Sequence, residues 1–157
     1  MARMISAALA ALLLLSVYLL WPNTYVALQS QDQQLQCVIS TPQLSLIWRH
    51  SVEKTLWQEN YQVRQQQLYL DSTIIQGFGA GIPSDLPIQQ QDQHSIHLQV
   101  QRFLPELNWV VSRHMQGQIQ VADQIWPIAE QVSDYQIIHI RPRRFMRWQA
   151  WQQGECL

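Results

Sequence analysis

The sequence predicts an all-β domain, an antiparallel β-sandwich or small barrel, preceded by one N-terminal transmembrane helix. Three features support this prediction: one long apolar run at the start, short segments of alternating polarity after it, and turn residues between those segments. Alternation with a period of two places the apolar side chains of a strand on one face. Many short strands separated by turns are typical of sandwiches and small barrels.

The N-terminal residues 1–22 predict a membrane anchor. An uncharged run from Met4 to Trp21 is rich in leucine and alanine, and its eighteen residues would span about 27 Å as a helix, close to the thickness of a hydrocarbon core. Arg3 before the run favours a cytoplasmic N-terminus. A cleavable signal peptide is the alternative, although no Ala-x-Ala pattern follows the run. In both cases residues 23–157 are expected to form a periplasmic domain, with the anchor in the bacterial inner membrane.

Alternating segments fill most of the remaining chain. Between Gln43 and Val52, apolar Leu44 and Leu46 alternate with more polar positions. No stretch between Pro22 and Arg141 shows the 3.6-residue period of an amphipathic helix. Turn signals separate the segments at 77–83, 84–87, 104–105, 116–117 and 133–134. Further strands are therefore expected within 57–63, 68–76, 95–103, 107–113, 118–126 and 135–142.

The composition gives no reason to expect nucleic acid as a partner. The formal net charge is -1 and only 13% of the residues are charged, whereas nucleic-acid-binding domains generally carry a basic patch. Polarity comes mainly from 27 glutamines, some of them in runs such as 65–67 and 89–91. We interpret these glutamines as turn and solvent-facing positions.

The two cysteines, Cys37 and Cys156, lie near the two ends of the expected periplasmic part. An oxidising compartment allows such a pair to form a disulfide, and the chain-entropy treatment assigns about 4–5 kcal/mol to so long a loop. The bond would hold the last residues against the first strand, and two unpaired thiols are the alternative. Two cysteines match no metal-site spacing, so neither a metal nor a cofactor is expected.

The segment RHSVEKTLW, residues 49–57, holds the only lysine of the chain. Ser51 and Lys54 fit the Ser-x-x-Lys pattern of penicillin-recognising acyl enzymes, but that pattern requires a helix to place both side chains on one face. Here the pair follows an alternating strand, where positions three apart face opposite ways. A serine hydrolase, with Ser51 as nucleophile and His50 or His114 as base, is the alternative function.

The segment GFGAGIP, residues 77–83, provides Gly77, Gly79 and Gly81. A dinucleotide-binding loop would need a helix after the glycines, and Pro83 argues against one. The segment instead predicts a tight connection with positive φ at several glycines. Successive N–H groups in such a turn can bind an anion.

The two segments together carry a family resemblance. WRHSVEKTLWQENYQV (48–63) and GFGAGIPSD (77–85) resemble the bacterial family called domain of unknown function 1850. That family shares the string His-Ser-Val-Glu-Lys-Thr, an aromatic and acidic stretch, and a later Gly-x-Gly-Ala-Gly with proline close behind. LPELNWVVSRHMQGQIQV (104–121) is similar to the later part of its pattern. The resemblance covers roughly 43 to 145, and Leu56 stands where proline is common.

The resemblance implies a small exported or single-span protein of a kind often encoded beside TRAP transporters of the TAXI subfamily, which take up small organic acids. The expected function is a non-enzymatic accessory role, with a TRAP-type membrane subunit or solute-binding protein as partner. A small anionic solute is a further expected ligand, and Arg102 could join its site. The expected surface comprises His50, Ser51, Glu53, Lys54, Thr55, Gly77, Gly79, Gly81, Arg113 and His114.

The C-terminal segment has two interpretations. Arginines cluster between Arg141 and Arg147, while Phe145, Trp148 and Trp151 recur every three residues. These residues form either a short amphipathic helix on a membrane surface or a last strand with its arginines outward.

Overall fold

The structure, a computed structural model, describes residues 2–77, 79 and 85–157, and within the first helix it describes side chains from residue 9 onward. Its elements, in chain order, are α1 (Ala2–Leu20), β1 (Pro22–Ser30), β2 (Gln36–Ile39), β3 (Gln43–Arg49), β4 (Leu56–Arg64), β5 (Gln67–Ile75), β6 (Ile88–Gln91), β7 (Ile96–Leu104), β8 (Leu107–Val111), β9 (Gln118–Val121), β10 (Gln124–Trp126), β11 (Gln136–Met146) and α2 (Arg147–Gln153). Two short 3-10 helices, Arg113–Met115 and Ile128–Glu130, lie in the connections.

The strands form two antiparallel sheets. The four-stranded sheet has the order β2-β1-β11-β8, and the seven-stranded sheet has the order β10-β9-β3-β4-β5-β7-β6. Both sheets are open, with β2 and β8 at the edges of the first and β10 and β6 at the edges of the second. The prediction of an antiparallel all-β domain is therefore confirmed. The closed small barrel was wrong, because neither sheet pairs its two edges.

The sheets share a hydrophobic core built from alternate strand positions. Leu28 of β1 and Ile138 of β11 are fully buried on the four-stranded sheet, and Leu46 of β3 and Ile119 of β9 are fully buried on the seven-stranded sheet. Complete burial of one such side chain contributes about 1.5–3 kcal/mol. The apolar alternation seen in the sequence thus gives each strand the face by which it packs.

The larger sheet extends beyond the smaller one. With strands about 4.8 Å apart, seven strands span about 29 Å and four span about 14 Å. A second, smaller core of Ile75, Ile96 and Leu98 accordingly lies on β5 and β7, separate from the main core. The inner face of the seven-stranded sheet is therefore only partly covered by its partner.

Three strands, β1, β2 and β6, lie outside the expected segments, and the single strand expected within 118–126 is the strand pair β9 and β10. In β1, buried Val26 and Leu28 are followed by Ser30, whose burial on the same face hides the alternation. Ser30 is accommodated because its hydroxyl donates a hydrogen bond to Asp32 and accepts one from the Leu35 N–H. Strand β6 has no buried residue and is held by backbone pairing to β7 alone, so its glutamine-rich sequence reads as a turn.

The predicted transmembrane helix is not found. Across residues 2–77, 79 and 85–157, no helix has both the length and the apolar character needed to cross a membrane.

A disulfide fixes the C-terminal segment. Cys37 of β2 and Cys156 are bonded, with their Cα atoms 5.2 Å apart, which confirms that pairing. On each side of the bond the backbone pairs as well: the Val38 N–H donates to Gly154 O, and the Cys156 N–H donates to Val38 O. Both interpretations of the C-terminal segment hold in part, because β11 continues to Met146 and a helix begins at Arg147.

Candidate functional site

The connection between β3 and β4 is a six-residue loop that contains five of the ten residues of the predicted surface. Arg49 and Leu56 form the last pair of the hairpin. Beyond them the His50 N–H donates to Thr55 O at 2.8 Å, and the Lys54 N–H donates to His50 O at 3.0 Å. The alternating pattern stops contributing to the sheet at Arg49, because the chain turns there. We call residues 50–55 the β3–β4 loop.

Lys54 holds the loop closed through its own side chain and backbone. Its φ of 57° is left-handed. Residues other than glycine or asparagine adopt this backbone conformation at a cost in free energy. The Lys54 ammonium donates to Ser51 O at 2.6 Å, and the Arg49 guanidinium donates to Lys54 O at 3.0 Å. These bonds satisfy loop carbonyls, so the loop keeps one shape although it is exposed.

The His50 side chain supports the loop through a ring contact with β4 and a hydrogen bond to the loop backbone. Its ring stacks on the Trp57 ring, with centroids 4.9 Å apart and planes inclined by 14°. Its Nδ1 accepts the Glu53 N–H at 3.2 Å, which assigns the remaining proton of a neutral ring to Nε2. His50 therefore acts as a support for the loop backbone in this structure.

A row of aromatic rings connects the loop to the core. Trp57 lies directly opposite Trp48 in the hairpin, with ring centroids 6.0 Å apart, and Trp48 contacts Trp109 of β8 at 6.3 Å. Gly117 makes room for this row, since a Cβ there would lie 3.0 Å from Trp109 Cη2. The supporting role of Trp48 and Trp57 was not predicted, although the two tryptophans stand symmetrically about the loop in the sequence.

The two motifs meet at Glu53 and Gly79. A Cβ built on Gly79 would lie 2.6 Å from Glu53 Cδ, whereas one on Gly77 would meet nothing within 4 Å. The expected approach of the loop and the glycine segment is thus present at Gly79. The positive φ predicted for the glycines is absent at Gly77 and Gly79, and Gly81 lies outside the described residues. A side chain at position 79 would displace the Glu53 side chain, which lies close against Gly79.

Comparison with known proteins identifies the family. A family described as a domain of unknown function (DUF1850) matches residues 44–128, more than half of the chain. The chain belongs to this family. No curated protein and no solved structure matches it. The matched range includes the β3–β4 loop, the glycine segment and almost all of the seven-stranded sheet, whereas β1, β2 and β11 of the four-stranded sheet lie outside it.

Arg113 and His114 stand on a separate element in this domain of unknown function 1850 protein. They lie in the 3-10 helix Arg113–Met115 between β8 and β9, and both are exposed. The Arg113 N–H donates to the Asp134 carboxylate at 2.8 Å. Within the described part of the chain, no hydrogen bond or ion pair joins either residue to the β3–β4 loop. The structure therefore groups His50, Glu53, Lys54 and Gly79, and leaves this pair apart.

The grouped residues offer polar contacts at the surface of the domain of unknown function 1850 fold. Ser51, Glu53 and Lys54 are exposed, and among the described residues no histidine is hydrogen-bonded to Ser51 Oγ. The described ranges also contain no group of three or more His, Cys, Asp or Glu residues arranged to hold a metal ion. The loop thus carries one ammonium group, one carboxylate and one hydroxyl, on a backbone that is held by hydrogen bonds.

Proposed function

We propose that this protein is a non-enzymatic accessory component of a TAXI-type TRAP transporter for small organic acids. It would act in the periplasm, held at the bacterial inner membrane through residues 4–21. The β3–β4 loop would contact the membrane subunit or the solute-binding protein. The observation that carries the proposal is the contact of Glu53 with Gly79, because it joins the two family motifs at one exposed place.

The loop has the properties of a recognition surface. Val52 at its tip is 67% exposed and is flanked by exposed Ser51 and Glu53, so an apolar residue sits within a polar rim. The stacking of His50 on Trp57 and the backbone bonds of the loop hold this arrangement before any partner binds. A preorganised loop loses less conformational entropy on binding than a mobile one.

Lys54 supplies the positive charge of the surface. Its ammonium has three donors, and the bond to Ser51 O uses one of them. The others can reach a carboxylate of the partner or of a small organic acid carried by the transporter. An exposed pair of this kind contributes mainly to orientation and association rate, since surface ion pairs are worth about 1 kcal/mol or less.

The test is recovery of the transporter with the tagged full-length protein from its native host in mild detergent. We expect the wild type to recover a TRAP-type membrane subunit or its solute-binding protein, and Glu53→Ala/Lys54→Ala to lose it. Arg64→Ala/Asp71→Ala is the matched control, because it removes another exposed opposite-charge pair, 3.9 Å apart, at the far end of β4. This control should recover the same partner as the wild type.

Two other results would change the proposal. If both double variants recover the partner, the transporter role stands, but the contact lies outside the loop. If the wild type and both variants are folded but recover no transporter component, the transporter role is rejected. The serine hydrolase alternative would then be tested with a serine-directed fluorophosphonate probe. Labelling of the wild type but not of Ser51→Ala would establish Ser51 as a nucleophile.

A further inference from the structure

Helix α1 exposes large apolar side chains all around its axis. Four consecutive leucines, residues 12–15, point about 100° apart and so cover the whole circumference, yet each of them is at least 53% exposed. A helix that is apolar on every side is normally buried in a protein core or in a bilayer. The described part of the chain leaves these leucines uncovered, so another apolar phase has to cover them.

The end of α1 lies beside the end of β11 and the start of α2. Trp21 alone separates α1 from β1, and Pro22 of β1 pairs with Met146, the last residue of β11. Helix α2 begins at the next residue, Arg147. The guanidinium carbon of Arg147 lies 4.0 Å from the centroid of the Tyr18 ring in the last turn of α1. The four-stranded sheet and α2 therefore meet the chain where it leaves the apolar helix.

Three arginines, Arg143, Arg144 and Arg147, stand at this meeting point. Arg143 and Arg144 are exposed neighbours on β11, so one side chain lies on each face of the sheet. In the described part of the chain none of the three forms an ion pair, whereas Arg141 of the same strand lies 3.9 Å from the Glu106 carboxylate. The three charges are thus available to an anion from outside the chain.

The segments that form this surface contain no acidic residue to offset the arginines. Residues 9–25 and 143–153 include neither aspartate nor glutamate, so their net charge is +3. Glu155 follows α2, and its carboxylate accepts a hydrogen bond from the Ser40 hydroxyl at 2.5 Å. A positive surface beside an apolar helix favours a partner that presents anions next to an apolar phase.

Three exposed tryptophans lie between the apolar helix and the arginines. Trp21 follows α1 directly, and Trp148 and Trp151 lie three residues apart on α2, which places them on one side of that helix. Ala150 is buried and so lies on the side of α2 that packs on the protein. Tryptophan is enriched where hydrocarbon meets water, because its ring is apolar and its N–H is polar. The order along the surface is therefore apolar, aromatic and cationic.

The disulfide fixes α2 in this place. Cys156 follows α2 and is bonded to Cys37 of β2, and the Val38 N–H donates to Gly154 O at 2.9 Å. These bonds hold the end of α2 against the four-stranded sheet, while the contact of Arg147 with Tyr18 holds its start against α1. The surface is thus formed before any partner binds, which lowers the entropic cost of binding.

We propose that α1, the end of β11 and α2 form one surface that binds a bilayer containing anionic phospholipids. The leucines of α1 enter the hydrocarbon, the three tryptophans lie at its boundary, and the guanidinium groups of Arg143, Arg144 and Arg147 bind lipid phosphates. The β domain then rests on the bilayer in one orientation. The inference rests on the membrane attachment in the proposed function but not on the transporter, and it needs α1 to enter the bilayer, not to cross it.

The first experiment tests where the domain rests. Full-length protein labelled with 5-fluorotryptophan is placed in nanodiscs that contain phosphatidylcholine, phosphatidylglycerol and a trace of lipid with a gadolinium head group, which broadens nearby ¹⁹F signals. Trp151→Phe and Trp109→Phe assign two signals by their loss. Trp109 pairs with Ile138, about 26 Å from Met146 along β11, and serves as the internal reference.

We expect gadolinium to broaden the Trp151 signal beyond detection and to leave the Trp109 signal visible. Equal broadening of the two signals would overturn the proposal, because the domain would then have no fixed orientation on the bilayer. A wild type that does not enter the nanodiscs would overturn it as well, since α1 would then have another partner.

The second experiment tests the lipid phosphates. The fraction of phosphatidylglycerol in phosphatidylcholine nanodiscs is raised stepwise, and the ¹⁹F shift of Trp151 is followed. We expect a saturable shift, with a half-saturating fraction that rises about fivefold in Arg144→Gln and stays unchanged in Arg141→Gln, the matched control on the same strand. At an ionic strength of about 1 M the wild-type shift should be lost, because the Debye length falls to about 3 Å.

A triple variant separates charge from side-chain shape. Replacing Arg143, Arg144 and Arg147 by glutamine should abolish the phosphatidylglycerol-dependent shift, and replacing them by lysine should retain it. A shift retained by the glutamine variant, or no shift in the wild type, would overturn the proposal. Recovery of the transporter in detergent is measured separately, so a failure of the proposed function and a failure of this inference are distinguishable.

Discussion

The Glu53 carboxylate lies against Gly79 so closely that a Cβ on Gly79 would be 2.6 Å from Glu53 Cδ and 2.7 Å from Glu53 Oε1. A side chain at position 79 would therefore displace the Glu53 side chain, whereas the backbone angle of Gly79 does not itself favour glycine. This contact explains why a charged loop and a glycine segment belong to one pattern. It also provides a way to disturb the loop without changing any of its residues.

Gly79→Ala should displace the Glu53 side chain while changing the free energy of unfolding by less than about 0.5 kcal/mol, because the contacted atoms are near the end of a flexible side chain. NMR shifts of the loop amides and transporter recovery are the measurements. Gly77→Ala is the matched control, since a Cβ there meets nothing within 4 Å. Equal effects of the two substitutions on the loop would contradict the prediction.

Replacing both cysteines, Cys37→Ser with Cys156→Ser, should lower the free energy of unfolding by about 3–5 kcal/mol. The bond closes a loop with a sequence separation of 119 residues, so its loss frees a large part of the unfolded chain. Urea unfolding measures the change, and the reduced wild type should match the variant. Hydrogen exchange at the Cys156 amide should also accelerate, and slow exchange there would show that the C-terminal segment stays bound without the disulfide.

Glu59→Gln should make the protein more stable at neutral pH. Burial raises the pKa of Glu59, so the folded state binds the proton more tightly than the unfolded chain does. The wild type therefore loses stability relative to the variant as pH rises from about 4.5, the ordinary value, through the raised pKa, and the difference then stays constant. Gln retains an acceptor for the Tyr61 hydroxyl.

Urea unfolding at about pH 4 and about pH 8 measures this pH dependence, and Tyr61→Phe tests the hydrogen bond separately. Tyr61→Phe should lower stability by about 1–3 kcal/mol at neutral pH, because the buried carboxylate loses its donor. If Glu59→Gln is less stable than the wild type at pH 8, Glu59 does not carry a desolvated charge there.

The turn between β4 and β5 should be stabilised by residues that favour left-handed backbone angles. Gln65 and Gln66 have φ of 52° and 61° in a two-residue hairpin connection between the paired Arg64 and Gln67. Asn-Gly is preferred in such a turn, so Gln65→Asn/Gln66→Gly should raise the free energy of unfolding by about 1 kcal/mol. Gln90→Gly in the exposed strand β6 is the control and should lower it.

The glutamines show where composition predicts structure and where it does not. The turn interpretation is confirmed for Gln33, Gln65 and Gln66, which take left-handed angles in connections. The run 89–91 faces solvent, as expected, but it lies in strand β6 and not in a turn. Both roles need only exposure and backbone hydrogen bonds, so side-chain polarity cannot separate a turn from an edge strand.

The candidate site was only partly readable from the sequence. The glutamate, lysine and glycines were visible as motifs, because their types and spacing are local properties. That Glu53 contacts Gly79, and that Arg113 stands on a different element, depends on which strands are neighbours. The β3–β4 pairing is local, whereas β9 joins β3 across about 70 residues of chain, and no periodicity encodes that choice.

By itself, the sequence determined the strand-rich character of this protein, because alternation fixes which side chains share a face. It also determined the family, through the two motifs in residues 44–128. The tertiary structure alone decided the two open sheets and the support of His50 by Trp57. The physical reason is that these features come from long-range strand pairing and from the unequal widths of the sheets. No local sequence pattern determines such packing.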